Sequence, residues 1–330
     1  MFVAAQSISL VAIASNNTDV CHRAFRILLL LILCFSGAAR IANAQAMIGA
    51  GVVLDTPTVT LLKHVQEVNL ALTVRNQHGH FVNNLTPSDL LILDNDERAD
   101  QITYFESRSN LPLRVALVVD TSDSVTYCFD SERKTAMKFL KHVLRKDRDS
   151  ALILNFNEAV RLAQPSTSDL RLLQQSLRRV HPAGETAIYD AVAMASQELG
   201  RMQSSQPSRR VIILITDGED NRSHITLRQA AERALRSETA VYVISTNEPG
   251  FPDPQGDEAM KQLATATGGS FLRAGSDVGD AFAKIEKEFR SQYVIGYKPP
   301  QSSPDGQFHR LTILGANKLH FFHRVGYFAK

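Results

Sequence analysis

A small set of oxygen-bearing side chains recurs at the ends of apolar segments. Asp120, Ser122 and Ser124 follow a continuously apolar run in the spacing D-x-S-x-S. Thr186 stands later, in a loop before a helical segment, and Asp217 directly follows another apolar run. Carboxylate and hydroxyl oxygens are hard ligands that suit Mg²⁺, Mn²⁺ or Ca²⁺ rather than zinc or copper. The pattern therefore predicts a divalent-cation site, provided that the five side chains meet.

The segments that must position these residues alternate between strands and helices. Strands are predicted at 115–119, 151–156, 211–216, 240–245 and 270–272, and helices at 136–144, 170–177, 187–199, 227–235, 259–267 and 278–292. This alternation predicts an α/β fold with a doubly wound, mostly parallel sheet covered on both faces. Such sheets bind ligands at the carboxyl ends of the strands, where the strand order reverses. If the strands before Asp120 and Asp217 are neighbours there, the five side chains converge.

Short strands with alternating apolar residues lie on both sides of this α/β part. They occupy parts of 65–108 and of 293–330, with turn-forming residues between them. No helix follows the last strands to cover them on a parallel sheet. We therefore expect an N-terminal β-sandwich (Ig-like) segment at 50–108, an α/β domain at 111–292, and strands at 293–330 that complete the β-sandwich.

The first 44 residues are typical of a signal peptide. Arg23 and Arg26 precede a short apolar run, and small residues lead to Ala44, after which we expect cleavage. The apolar run is shorter than the roughly 20 residues that span a bilayer, so no stable membrane span is expected after cleavage. The predicted location is outside the cytoplasm, either secreted or in the periplasm or cell envelope. The formal net charge of +2, with basic residues spread along the chain, gives no case for binding nucleic acid.

In order and context, these residues resemble the metal-ion-dependent adhesion site (MIDAS) of the von Willebrand factor type A family. The resemblance covers roughly 113–292, and the whole chain is also similar to bacterial, acidobacterial-type proteins related to that family. It implies a Rossmann-like fold in which Ser122, Ser124 and Thr186 touch a Mg²⁺ ion, or Mn²⁺ or Ca²⁺. Asp120 and Asp217 would hold coordinating waters.

The resemblance implies a cell-adhesion type of function. Neutral hydroxyl ligands leave the metal ion electron-poor, so it favours a carboxylate from outside, and the expected partner is a protein that presents an acidic residue. A structural component of a cell-envelope complex is an alternative that the sequence leaves open. A metal-assisted hydrolase is disfavoured, because no nucleophile elbow, HExxH motif or obvious general base accompanies the site.

Two other residues, Glu185 and Cys128, have side chains that could add charge or reactivity. Glu185 stands where a second glycine is common in the family, and it either adds negative charge beside the ion or points to solvent. Cys128 is the one cysteine that signal cleavage leaves, so the mature chain forms no intramolecular disulfide. We expect Cys128 to be an ordinary small residue.

Overall fold

A computed structural model describes residues 67–107, 110–202, 207–247, 253–274, 278–300, 305–315 and 318–329. The predicted signal peptide at 1–44 lies outside these residues. Within them, no helix is long and apolar enough to cross a membrane.

The described chain contains a six-stranded sheet with helices on both faces. Its strands are β5 (Leu113–Asp120), β6 (Ser150–Phe156), β7 (Val160–Thr167), β8 (Arg209–Thr216), β9 (Thr239–Ser245) and β10 (Phe271–Arg273), and its helices are α1 (Phe129–Val143), α2 (Leu170–Arg178), α3 (Ile188–Arg201), α4 (Leu227–Arg236), α5 (Pro254–Thr267) and α6 (Val278–Phe289). The strand order is β10-β9-β8-β5-β6-β7, and β7 is the one antiparallel strand of this sheet. The predicted doubly wound, mostly parallel α/β fold is confirmed.

Two apolar cores explain why this sheet is covered on both faces. Successive residues of a strand point to opposite faces, so the continuously apolar β5 and β8 supply both cores. Helices α1, α2 and α6 pack on one face, and α3, α4 and α5 pack on the other. The chain leaves β5 toward β6 on one side, whereas β8 lies on the other side of β5. The strand order therefore reverses between β5 and β8, where the polar residues were expected to meet.

Two antiparallel sheets form the flanking β-sandwich. Their strands are β1 (Val68–Asn76), β2 (Leu90–Asp94), β3 (Glu97–Arg98), β4 (Gln101–Ser107), β11 (Tyr293–Lys298), β12 (Phe308–Gly315), β13 (Leu319–Phe322) and β14 (Gly326–Phe328). One sheet has the order β13-β1-β11-β4 and the other β14-β12-β2-β3. Strand β11 follows the α/β part, yet it pairs with both β1 and β4, which precede it. A separate apolar core, built from both ends of the chain, fills this β-sandwich.

Candidate metal centre

The carboxyl ends of β5 and β8 lie side by side. The two strands are parallel neighbours, with Val119 opposite Ile215. Asp120 ends β5 and is 1% exposed, whereas the Ser122–Ser124 segment turns sharply away from the sheet. Asp217 begins the loop after β8. The structure thus brings the two predicted carboxylates to the switch point of the sheet.

The Asp120 carboxylate is fixed by donors from both strands. Its Oδ1 accepts the backbone N–H of Ser122 at 2.9 Å, and its Oδ2 accepts the Thr216 hydroxyl at 2.6 Å. The pKa of Asp120 is raised to about 6: burial, the largest influence, and the nearby Asp217 charge raise it, whereas hydrogen bonds from Thr216 and Ser122 lower it. A buried carboxylate beside a second one is a place where a cation would offset the cost of burial.

The two serine hydroxyls face each other above this carboxylate. Ser122 Oγ and Ser124 Oγ are 2.9 Å apart, with Ser122 buried and Ser124 exposed. Asp217 has one oxygen, Oδ1, that is buried and accepts no hydrogen bond from the described residues. Buried polar atoms without a partner are rare, so an unmatched carboxylate oxygen here fits a site for a hydrated cation. The donor set, two hydroxyls and two carboxylates, suits a small hard ion.

Thr186 reaches the same edge because two loops hold it there. The Ser122 loop holds the segment just before Thr186, since Asp123 N–H donates to Gly184 O at 2.9 Å. The Asp217 loop binds Thr186 itself, because Thr186 N–H donates to Asn221 Oδ1 at 2.9 Å and Asn221 N–H donates back to Thr186 O at 3.0 Å. All five predicted residues therefore lie at one edge of the sheet, and the backbone positions of three loops are coupled there.

A cluster of three or more His, Cys, Asp or Glu side chains suited to a metal ion does not occur within the described residues. The set at this edge is of another kind, because it contains two carboxylates and three hydroxyls. We call Asp120, Ser122, Ser124, Thr186 and Asp217 the candidate metal centre.

The profile of the von Willebrand factor type A domain matches residues 115–219, from β5 through the Asp217 loop. The chain contains a von Willebrand factor type A domain. The predicted resemblance is thereby confirmed, and the matched span includes every residue of the candidate metal centre.

Individual proteins are similar over the type A domain and its surroundings. An uncharacterised protein of Bacillus subtilis, YwmD, is 28% identical over 207 residues, which are 56% of this chain and 88% of that protein. An aerotolerance-related membrane protein from Bacteroides fragilis is 21% identical, with a TM-score of 0.46 over 54% of this chain and 98% of that chain. A von Willebrand factor type A structure from Catenulispora acidiphila is 12% identical, with a TM-score of 0.46 over 80% of this chain and 75% of that chain.

Several residues that position the candidate metal centre were not predicted from the sequence. Thr216 donates its hydroxyl to the Asp120 carboxylate. Its place in the sequence, directly before Asp217, is the feature from which this role could have been predicted. Asp220 accepts the N–H of Ile188 at 2.7 Å and so caps the first turn of α3. Glu185 forms an ion pair with Arg222, and its side chain is half-exposed.

Glu132 is the most informative of the unanticipated residues. It lies on α1, is 1% exposed, and is close enough to Asp120 and Asp217 for their charges to act on it. Its Oε1 accepts the Cys128 thiol at 2.9 Å, and its Oε2 has no partner among the described residues. Burial and the Glu132 neighbour both raise the pKa of Cys128, which makes its thiol a poor nucleophile.

Proposed function

We propose that this protein is a metal-dependent protein-binding module, whose type A domain holds Mg²⁺, Mn²⁺ or Ca²⁺ and through it engages an acidic group of a partner. The adjacent Ser122 and Ser124 hydroxyls, set beside the carboxylates of Asp120 and Asp217 at the switch point, carry this proposal. Ser122, Ser124 and Thr186 would hold the ion directly, and the two aspartates would hold its waters.

The chemistry of this donor set explains why the partner should be acidic. Hydroxyl ligands carry no charge, so they leave most of the charge of a divalent ion uncompensated at an edge where Ser124 is exposed. A carboxylate from outside is the hard, charged ligand that such an ion lacks. The protein's own residues hold the metal ion in place, and a carboxylate of the partner supplies its remaining oxygen ligand.

The direct test is a Mg²⁺ titration of the chain by calorimetry, followed by capture of partners from the cell envelope. Asp120→Ala should abolish Mg²⁺ binding and partner capture. Asp123→Ala is the matched control, because Asp123 stands in the same loop with an exposed side chain and contributes its backbone N–H to Gly184. Capture that persists unchanged in EDTA would contradict the proposal.

The same experiment separates a binding role from a purely structural one. If the metal only stabilises a component of an envelope complex, Mg²⁺ should raise the melting temperature while partner capture stays the same in EDTA. We propose no catalytic role for the site, since Glu132 is buried and so cannot reach a substrate. Turnover of a model ester or peptide that disappears in Ser122→Ala would revive a metal-assisted hydrolase.

Tyr127 supplies a surface that a partner could cover. It is 66% exposed, which is unusual for a large aromatic side chain, and it lies three residues beyond Ser124. We expect Tyr127→Ala to weaken partner binding about tenfold or more while Mg²⁺ affinity is unchanged. Equal partner affinity in the variant and the parent protein would remove Tyr127 from the interface.

We further propose that the protein is exported and that its type A domain at 111–292 is inserted into a β-sandwich formed by 50–108 and 293–330. The pattern of residues 1–44 supports export, and the pairing of β11 with β1 and β4 supports the insertion. Mass spectrometry of the exported protein should find Gln45 at its amino terminus. An uncleaved terminus would contradict the signal peptide.

A further inference from the structure

The opposite edge of the six-stranded sheet contains a pocket of about 330 Å³. It opens where β8 and β9 begin, and strands β1 and β11 of the β-sandwich form its other side. We call it the amino-edge pocket; its polar lining includes Asn69, Ser208, Arg209, Arg210, Glu238 and Arg324. The candidate metal centre is at the other ends of these strands, so the two sites are separate.

Three arginines line this pocket, and each donates hydrogen bonds from its guanidinium group. Arg209 donates to Phe289 O at 3.2 Å and to the Gln292 side chain at 3.0 Å. Arg210 donates to a backbone carbonyl at 3.1 Å, and Arg324 donates to another at 2.9 Å. All of these acceptors are uncharged.

The hydrogen-bonding capacity of these groups is also incompletely used. The Nε atoms of all three arginines are buried and have no acceptor in the described part of the chain, and the Ser208 hydroxyl is in the same condition. Arg324 is only 8% exposed. Burial lowers the pKa of Arg209 and of Arg324, yet a guanidinium still stays protonated at neutral pH. Buried charges are normally paired, so the arginine side chains of this pocket favour the binding of an anion.

One acid partly offsets the positive charge. Glu238 lines the pocket, and its charge favours the protonated form of Arg324. Three arginines against one glutamate still leave a positive lining. Leu70, Val211 and Val294 add apolar surface beside the charged groups.

We propose that the amino-edge pocket binds a small anionic molecule through a phosphate or carboxylate group. Guanidinium groups present paired N–H donors that match both oxyanions, and the pocket volume is at the lower end of the roughly 300–1,000 Å³ of small-molecule sites. Because the lining comes from both the type A domain and the β-sandwich, the bound anion stabilises the two parts against each other.

The test uses the mature full-length chain with inorganic phosphate and malonate as probes, which distinguish the two head groups. Calorimetry and thermal unfolding are measured at constant ionic strength set with KCl, so that general screening does not mimic binding. The protein is first stripped of metal with EDTA, and the EDTA is then removed by dialysis, which keeps both the candidate metal centre and a competing polycarboxylate out of the measurement.

Arg210→Gln and Arg324→Gln each remove one charged donor from the pocket. Arg114→Gln is the matched control, because Arg114 lies opposite Arg210 on β5 and also donates to a backbone carbonyl, but does not line the pocket. If Arg324→Gln fails to fold, Arg210→Gln carries the comparison alone.

The expected result is saturable binding of phosphate or malonate with a rise in melting temperature. Affinity should fall at least about tenfold in Arg210→Gln and stay within about twofold of the parent in Arg114→Gln. Two results would overturn the proposal: no saturable binding of either anion, or equal affinity in Arg210→Gln and Arg114→Gln. Neither depends on whether the protein binds a metal.

Discussion

Glu132 is a buried carboxylate whose position follows from the pattern of α1. Phe129, Glu132, Ala136 and Phe139 recur at spacings of three and four, so they share the helix face that packs on the sheet. The pKa of Glu132 is raised to about 7, mainly by burial and further by the charges of Asp120 and Asp217. The thiol of Cys128 lowers it, as the largest opposing influence. Such a group makes folding stability depend on pH.

The sign of this dependence follows from where the proton is held more tightly. The folded protein keeps the Glu132 proton up to about pH 7, whereas the model value for an unperturbed glutamate is 4.5. As pH rises from about 4.5 to about 7, the unfolded state loses the proton first and becomes relatively more favourable. The contribution of Glu132 to the free energy of unfolding therefore falls across this window, by up to about 3 kcal/mol.

Glu132→Gln should remove this contribution, since an amide does not titrate. Urea unfolding in EDTA between pH 4.5 and pH 8 should show the variant gaining stability relative to the parent as pH rises, by up to about 3 kcal/mol. Glu232→Gln, on the partly exposed surface of α4, is the control and should give no such trend. A parallel pH profile for parent and Glu132→Gln would contradict the interpretation.

The candidate metal ligands could be predicted from the sequence more readily than the residues whose hydrogen bonds hold the neighbouring loops in place. Asp120, Ser122 and Ser124 form a local spacing, and Thr186 and Asp217 stand at recognisable element ends. Their assignment as metal ligands stays a prediction. Asp220 and Asn221 act on a distant loop through hydrogen bonds to backbone groups, and nothing in the local sequence specifies such contacts.

At the scale of elements, two glycines determine how closely the Asp217 loop approaches α5. Gly218 has φ of +95°, in the region that favours glycine. A Cβ on Gly256, in the first turn of α5, would lie 2.6 Å from the carbonyl oxygen of Gly218 and would also clash with the Asp253 side chain. The loop that presents Asp217 therefore rests directly on the helix backbone.

Gly256→Ala should push this loop away from the helix. We expect a loss of about 1–3 kcal/mol in the free energy of unfolding, as for other overpacked sites, together with weaker Mg²⁺ binding. Gly200→Ala is the matched control, because its Cβ would meet Ser237 Cβ at an ordinary 3.4 Å and alanine favours the helix by about 0.5–1 kcal/mol. Urea unfolding and calorimetry check both variants; similar behaviour of the two would contradict the close-approach argument.

Strand prediction succeeded where burial was greatest. The continuous apolar runs of β5, β6, β8 and β9 were predicted because strands covered on both faces need apolar residues throughout. Strand β7 was missed, since it lies at the edge of the sheet, is half-exposed and contains Pro165. An edge strand pairs on one side only, so its sequence need not be uniformly apolar or free of proline.

At the scale of the whole molecule, Glu288 joins the type A domain to the β-sandwich. It lies in the last turn of α6, is 3% exposed, and accepts the hydroxyls of Tyr242 on β9 and Ser270 at 3.0 and 2.9 Å. Its Oε2 also pairs with Arg75 of β1 at 2.9 Å. The Arg75 guanidinium lies 4.9 Å from the ring centre of Phe81, which is also part of the β-sandwich side. One buried carboxylate thus ties together a helix and two sheets.

Glu288→Gln keeps the shape of this side chain and removes its charge. We expect a loss of up to about 3 kcal/mol in the free energy of unfolding, the lower end for a buried pair, because the Arg75 side chain is still 32% exposed. The control is Glu286→Gln on the same helix, whose pair with the largely exposed Arg290 should contribute at most about 1 kcal/mol. A double-mutant cycle with Arg75→Gln, followed by urea unfolding, isolates the pair itself. A coupling energy near zero would mean that the two parts are held together by apolar packing, and that the charge of Glu288 contributes nothing to their association.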